Sequence, residues 1–129
     1  MFRIHSTNDG RVPPIEYLPA GAITPKVGMA LYQNSGNLAL ASGTTKPTYI
    51  SMCERETALT AGELIPVIRV EDGMIFGTEL SAAGTSLKLG GKVTVATDGL
   101  RVTATTTDGI AEIVAMNGTA IGDEVLVRF

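Results

Sequence analysis

The chain has few of the side chains from which enzyme active sites and metal sites are built. Of its 129 residues one is histidine, one is cysteine and none is tryptophan. A catalytic triad or a histidine-rich metal site would depend on His5 alone, which lies in a polar N-terminal stretch. Cys53 has no partner for an intrachain disulfide and lacks the Cys/His spacings that hold zinc. We therefore predict a non-enzymatic protein with no cofactor and no metal.

Charged residues are also scarce. They make up 18% of the chain, and the net charge is -3, so no basic field attracts nucleic acid or an anionic membrane. No window approaches the roughly 18 apolar residues of a membrane span, and the N-terminus lacks the apolar region of a secretion signal. We expect a soluble, untargeted protein whose partners include neither nucleic acid nor membrane.

Acidic residues are concentrated in the middle of the chain. This grouping fits either a site for a divalent cation or basic partner, or a solvated rim that keeps sheet edges apart. No calcium-loop spacing is present, and we favour the rim. The acids are Glu54, Glu56, Glu63, Glu71, Asp72 and Glu79.

Short alternating or β-branched runs, separated by turn residues, fill the chain from residue 28 onward and predict an all-β fold. Asp98-Gly99 predicts a two-residue type I′ hairpin turn. Residues 54–62 are the one helix-compatible stretch, where we expect a turn. The predicted strands are Met29–Gln33, Leu38–Ala41, Thr48–Arg55, Leu64–Val70, Met74–Thr78, Lys92–Thr97, Leu100–Thr105, Ile110–Met116 and Glu124–Phe129.

An internal repeat is the most informative pattern. Gly28 and Gly36 match Gly91 and Gly99 at an offset of 63. A predicted strand lies on either side of each hairpin glycine, Gly36 and Gly99. Units of about 40 residues could not bury enough surface alone. We therefore predict one β domain over 28–129, a small sandwich or barrel made of repeat units 28–70 and 91–129, joined by a hairpin and loop over 71–90.

The first 27 residues predict an extended, proline-rich arm, because each proline fixes φ and removes a backbone donor. Apolar residues between the prolines imply that the arm packs on something. It lies either across its own domain or on a neighbouring subunit, where the alternation around His5 could add a strand to a sheet edge. Deleting residues 1–18 is then expected to weaken attachment without unfolding the domain. The predicted contact residues are Phe2, Ile4, Pro13, Pro14, Ile15, Tyr17 and Leu18.

Four segments together carry a resemblance to a known family. They are PAGAI at 19–23, VGMAL at 27–31, ASGTTKPTYI at 41–50 and AGELIPV at 61–67. With the arm and the repeat, they resemble the small capsid-decoration (head-stabilising, or cement) proteins of tailed bacteriophages. These motifs are glycine and apolar patterns, and they contain no catalytic group. The second repeat with its Asp98-Gly99 hairpin departs from the shorter members of the family.

The resemblance implies a structural protein that forms homotrimers and stabilises the phage head. It would sit on the outer capsid surface of the virion, hold the major capsid protein through its arm, and be made in the cytoplasm of the bacterial host. A small carbohydrate- or cell-surface-binding β-sandwich is the alternative interpretation. With no tryptophan and three tyrosines, the chain offers few aromatic platforms for a sugar.

Overall fold

The computed structural model describes residues 1–129 and contains only β-strands, turns and loops, which confirms the predicted all-β class. No helix in it could span a membrane. The strands are β1 (Arg3–Ser6), β2 (Ile15–Ala20), β3 (Ala30–Asn34), β4 (Asn37–Leu40), β5 (Tyr49–Ser51), β6 (Glu63–Arg69), β7 (Ile75–Glu79), β8 (Lys92–Val93), β9 (Ala111–Met116) and β10 (Glu124–Arg128).

The strands form two sheets that pack against each other. Strands β2, β4, β3, β5 and β6 close into a small barrel, and strands β1, β7, β10, β9 and β8 form a five-stranded sheet in that order. A cluster of 15 buried residues fills the second sheet and the space between the two, and a cluster of nine lies within the barrel. No buried polar side-chain atom lacks a hydrogen-bond partner.

The two halves of the chain have the same strand order. In the first half β2 pairs with β6, β6 with β5, β5 with β3, and β3 with β4. In the second half β7 pairs with β10, β10 with β9 and β9 with β8, and the bridge Val95↔Val102 replaces the β3–β4 hairpin. One parallel pair closes each circuit, Ala20↔Leu38 and Leu80↔Val102. The two halves of the chain therefore repeat one strand topology, as a duplication would.

The duplicated region begins earlier in each half than the sequence predicted. The β2–β6 pair and the β7–β10 pair have the same register. Ile15 lies opposite Ile68 in the first pair, and the residues 60 positions later, Ile75 and Arg128, lie opposite each other in the second. We therefore call residues 15–70 the first unit and residues 75–129 the second unit. From sequence, β2 was predicted as part of the arm and β7 as part of a linking hairpin, because the two strands have few residues in common.

The type I′ turn was predicted at the wrong hairpin. It occurs at Ser35-Gly36, where both residues have positive φ (53° and 89°) between the paired ends of β3 and β4. At Asp98-Gly99 only the glycine has positive φ, 68°. Asp98 instead accepts a hydrogen bond from the Leu100 N–H at 2.9 Å. This local bond gives Asp98 the geometry of an Asx turn.

Candidate interaction surface

The N-terminal strand β1 lies on its own chain. It pairs antiparallel with the edge of β7, with Ile4 opposite Phe76. Phe2 is 2% exposed, its N–H donates to the Gly28 carbonyl at 2.9 Å, and its ring meets that of Phe129 edge-on at 5.4 Å. Of the predicted contact residues, Phe2 is therefore a core residue, and Ile4 is half-buried beside that core.

Ion pairs fasten the outward side of β1. Arg3 donates to a carboxylate oxygen of Glu79 at 3.1 Å and to one of Glu124 at 3.0 Å, joining β1 to its neighbour β7 and to β10 beyond it. All three side chains are partly solvated. The pairs fix the register of β1 more than they stabilise the fold, because exposed ion pairs contribute only about 0–1 kcal/mol.

Residues 7–14 connect β1 to β2 along the surface. The Asn8 side chain donates to the Asp72 carbonyl at 2.7 Å, and Arg11 faces Asp9 at 3.5 Å. Pro13 is buried and Pro14 is exposed. Of these two predicted contact residues, Pro13 therefore anchors the connection to the domain, and Pro14 is available to a partner.

Strand β2 presents one side to the barrel interior and the other to solvent. Leu18 packs on the interior cluster, whereas Ile15 and Tyr17 are 55% and 66% exposed. Glu16 binds Arg69 of β6 through two hydrogen bonds, at 3.1 and 3.2 Å. The Glu16 hydrogen bond, then the nearby Tyr49, raise the pKa of Arg69 above its usual value.

An apolar surface continues from β2 across β6. Antiparallel pairing places Tyr17 opposite Pro66 and Pro19 opposite Leu64, so these four side chains share one face. Met52, just after β5, donates its N–H to the Pro66 carbonyl at 3.0 Å and extends the surface. Leu64 and Met52 are 57% and 41% exposed. We call this surface the outer apolar face; it consists of Ile15, Tyr17, Pro19, Met52, Leu64 and Pro66.

A groove runs between the outer apolar face and β1. It has a volume of about 360 Å³. Ile50 and Ile68 form its floor, and Met1 and Val27 form its rim at 42% and 39% exposure. Met52 belongs both to the groove and to the outer apolar face, so the groove continues that face toward Phe2 and Ile4.

The matching face of the second unit carries charged residues at three positions where the first unit is apolar. Leu64 and Pro19 correspond by register to Glu124 and Glu79, the two carboxylates that bind Arg3. Ile68 corresponds to Arg128, which forms an ion pair with Glu112. Since the two units share one topology, the apolar character of the first is not required by the fold. An exposed apolar surface of this kind is typical of an interaction site.

Sequence reasoning found half of this surface. It predicted Ile15 and Tyr17 as contacts but missed the contribution of β6. The signal was present: β6 is apolar at consecutive positions 64–68, which is typical of a strand covered on both faces. Only one face of β6 is covered by the barrel interior, as the burial of Ile65 and Val67 shows.

The acidic residues of the middle segment do not converge. Glu63, in the first unit, lies 3.8 Å from Arg55, while Glu79, in the second unit, is bound by Arg3 of β1. No group of three or more histidine, cysteine, aspartate or glutamate side chains is placed to hold a metal ion. Cys53 is buried, and its N–H donates to the Ser51 hydroxyl at 3.1 Å.

Comparison with known proteins adds no name to this surface. No family model matches the chain, and no curated protein is significantly similar to it.

Proposed function

We propose that the protein is a non-enzymatic capsid-decoration protein that binds the outer surface of a phage head and stabilises it as a homotrimer. The outer apolar face is the observation that carries this proposal. It supplies an apolar contact surface on one of two topologically matched units, and the charged face of the other unit remains in solvent. The sequence resemblance to decoration proteins gives the identity of the partner, the major capsid protein.

In this proposal the outer apolar face forms the contact between subunits. Stable obligate interfaces bury on the order of 2,000 Å² in total and are more apolar than the remaining surface. The outer apolar face and the groove beside it together offer apolar side chains from β1, β2, β5 and β6. A trimer would cover part of this surface and leave the charged face of the second unit exposed.

Leu64→Glu tests the role of the outer apolar face. It gives the first unit the residue type that the second unit has at the matching position, Glu124. Leu64 is 57% exposed, so the change should alter the free energy of unfolding by no more than about 0.5 kcal/mol. Native mass spectrometry should show a trimer for the natural chain and a monomer for the variant.

Ile121→Glu is the matched control, because Ile121 is 65% exposed but lies outside the outer apolar face. It should leave both the trimer and head binding unchanged. Binding is measured by co-sedimentation with undecorated phage heads, to which Leu64→Glu should bind at least tenfold more weakly. If the natural chain stays monomeric and fails to sediment with heads, the proposed function is wrong.

A carbohydrate-binding module has less support from the surface. Tyr17 is the one aromatic ring among the strongly exposed apolar side chains, and sugar sites use such rings as stacking platforms. Glycan-array binding that is lost in Tyr17→Ala, with no binding to heads, would favour this alternative.

A further inference from the structure

The edge of β2 is an open counterpart of the edge that β1 covers. In the second unit, β1 pairs with β7 over Ile75 to Gly77. The positions that correspond in the first unit are Ile15 to Tyr17 of β2. There β2 pairs only with β6 on one side, and β4 meets its other side at Ala20 alone.

The backbone geometry shows which groups this open edge presents. The Pro66 carbonyl accepts from Met52, on the side away from β2, and Pro66 lies opposite Tyr17. In an antiparallel ladder such a residue pair has its N–H and C=O groups pointing away from each other. The Ala20 carbonyl accepts a hydrogen bond from the Gly62 N–H on the β6 side. Even-numbered residues of β2 therefore direct their backbone groups toward β6, and odd-numbered ones direct them away from it. Ile15 and Tyr17 therefore direct both backbone groups outward.

We propose that this edge binds an extended segment of a different protein as an additional antiparallel strand. β1 shows the geometry, since it makes this addition on the matching edge of the second unit. Every second side chain of the added strand would lie on the outer apolar face beside Ile15 and Tyr17. The recognised chemistry is thus a short extended peptide with apolar residues at alternate positions, bound through main-chain hydrogen bonds.

A second copy of this chain does not fit the edge as well. Its own extended N-terminal segment, in which Phe2 and Ile4 alternate with polar residues, is held by the burial of Phe2 and the ion pairs of Arg3. Pairing of two β2 edges is opposed by Pro14 and Pro19 at the ends of the exposed segment, because prolines at an edge hinder pairing with an identical edge.

The test uses the full chain and a synthetic probe. The probe is a capped nonapeptide of alternating valine and serine with a lysine at each end, added up to millimolar concentration. Amide hydrogen exchange is followed by NMR. Saturable binding should slow exchange at Ile15 and Tyr17 at least tenfold and leave Gly77, whose edge β1 covers, unchanged.

Two changes separate edge pairing from other binding. Tyr17→Pro removes the outward N–H without touching a β6 hydrogen bond and should weaken the probe at least tenfold. In case this variant does not fold, a probe with proline as its central residue should fail to bind the natural chain. The proposal is overturned by an absence of saturable protection, by equal binding of the proline probe, or by protection that grows with protein concentration alone. The last result would assign the edge to a second copy.

Discussion

Phe2→Ala tests whether the N-terminal strand is part of the protein's own core. Phe2 is 2% exposed, belongs to the main buried cluster and contacts the Phe129 ring at 5.4 Å. Truncating a buried phenylalanine to alanine typically costs about 3–5 kcal/mol. A domain of this size is stable by about 5–15 kcal/mol, so the variant should lose a large share of its stability.

Urea denaturation followed by circular dichroism measures this loss, and His5→Ala is the matched control. His5 is exposed on β1, three residues after Phe2, so truncating its side chain should change the unfolding free energy by less than about 0.5 kcal/mol. The denaturation slope should stay constant in both variants. A loss below about 1 kcal/mol for Phe2→Ala would refute the reasoning, because it would mean that β1 is not docked on β7 in the free protein.

Three further changes probe the N-terminal region. Gly28→Ala should lower the free energy of unfolding by about 1–3 kcal/mol more than Gly36→Ala, as measured by urea denaturation. Both glycines have φ near +80° to +90°, so the backbone strain is the same. A Cβ on Gly28 would lie 2.6 Å from the Met1 Cβ, whereas a Cβ on Gly36 would meet open space. Equal costs would mean that Met1 and Phe2 do not pack against Gly28. Arg3→Ala should cost less than about 1 kcal/mol in the same assay, because its ion pairs are solvated. Deleting residues 1–18 should abolish the cooperative thermal transition, since it removes Phe2 from the core and most of β2 from the barrel; a folded truncated chain would contradict the structure and agree with the expectation from sequence.

The parts of the fold that could be predicted from sequence were those with local signals. Turn glycines and short β-branched runs marked nearly every strand from β3 onward. The strands missed or misassigned were β2 and β7, whose role depends on pairing with strands about 50 residues away. Such pairing leaves no local pattern. The prolines around β2 also suggested an arm, although a strand with one open edge tolerates proline where no ladder hydrogen bond is needed.

The candidate surface was predictable to a similar extent. Exposed apolar residues of the arm, Ile15 and Tyr17, stood out because they had prolines as neighbours. Phe2 drew attention because it alternates with Ile4 near His5, yet it is buried, because the edge of β7 is available within the chain. Whether an apolar strand near a terminus packs on its own domain depends on which edges the fold leaves open. That is a property of the complete topology.

The shared core has a consequence for how the protein responds to stress. The main cluster takes Ile50 and Ile68 from the first unit, Phe76 and Val127 from the second, and Phe2 from the residues just before β1. Cross-unit backbone bonds, such as the 2.8 Å bond from Ala30 N–H to the Gly99 carbonyl, run beside it. The two units therefore cannot separate or hinge without opening the same core. Heat or mechanical load should produce one all-or-none transition, in which a subunit either holds its full shape or fails completely.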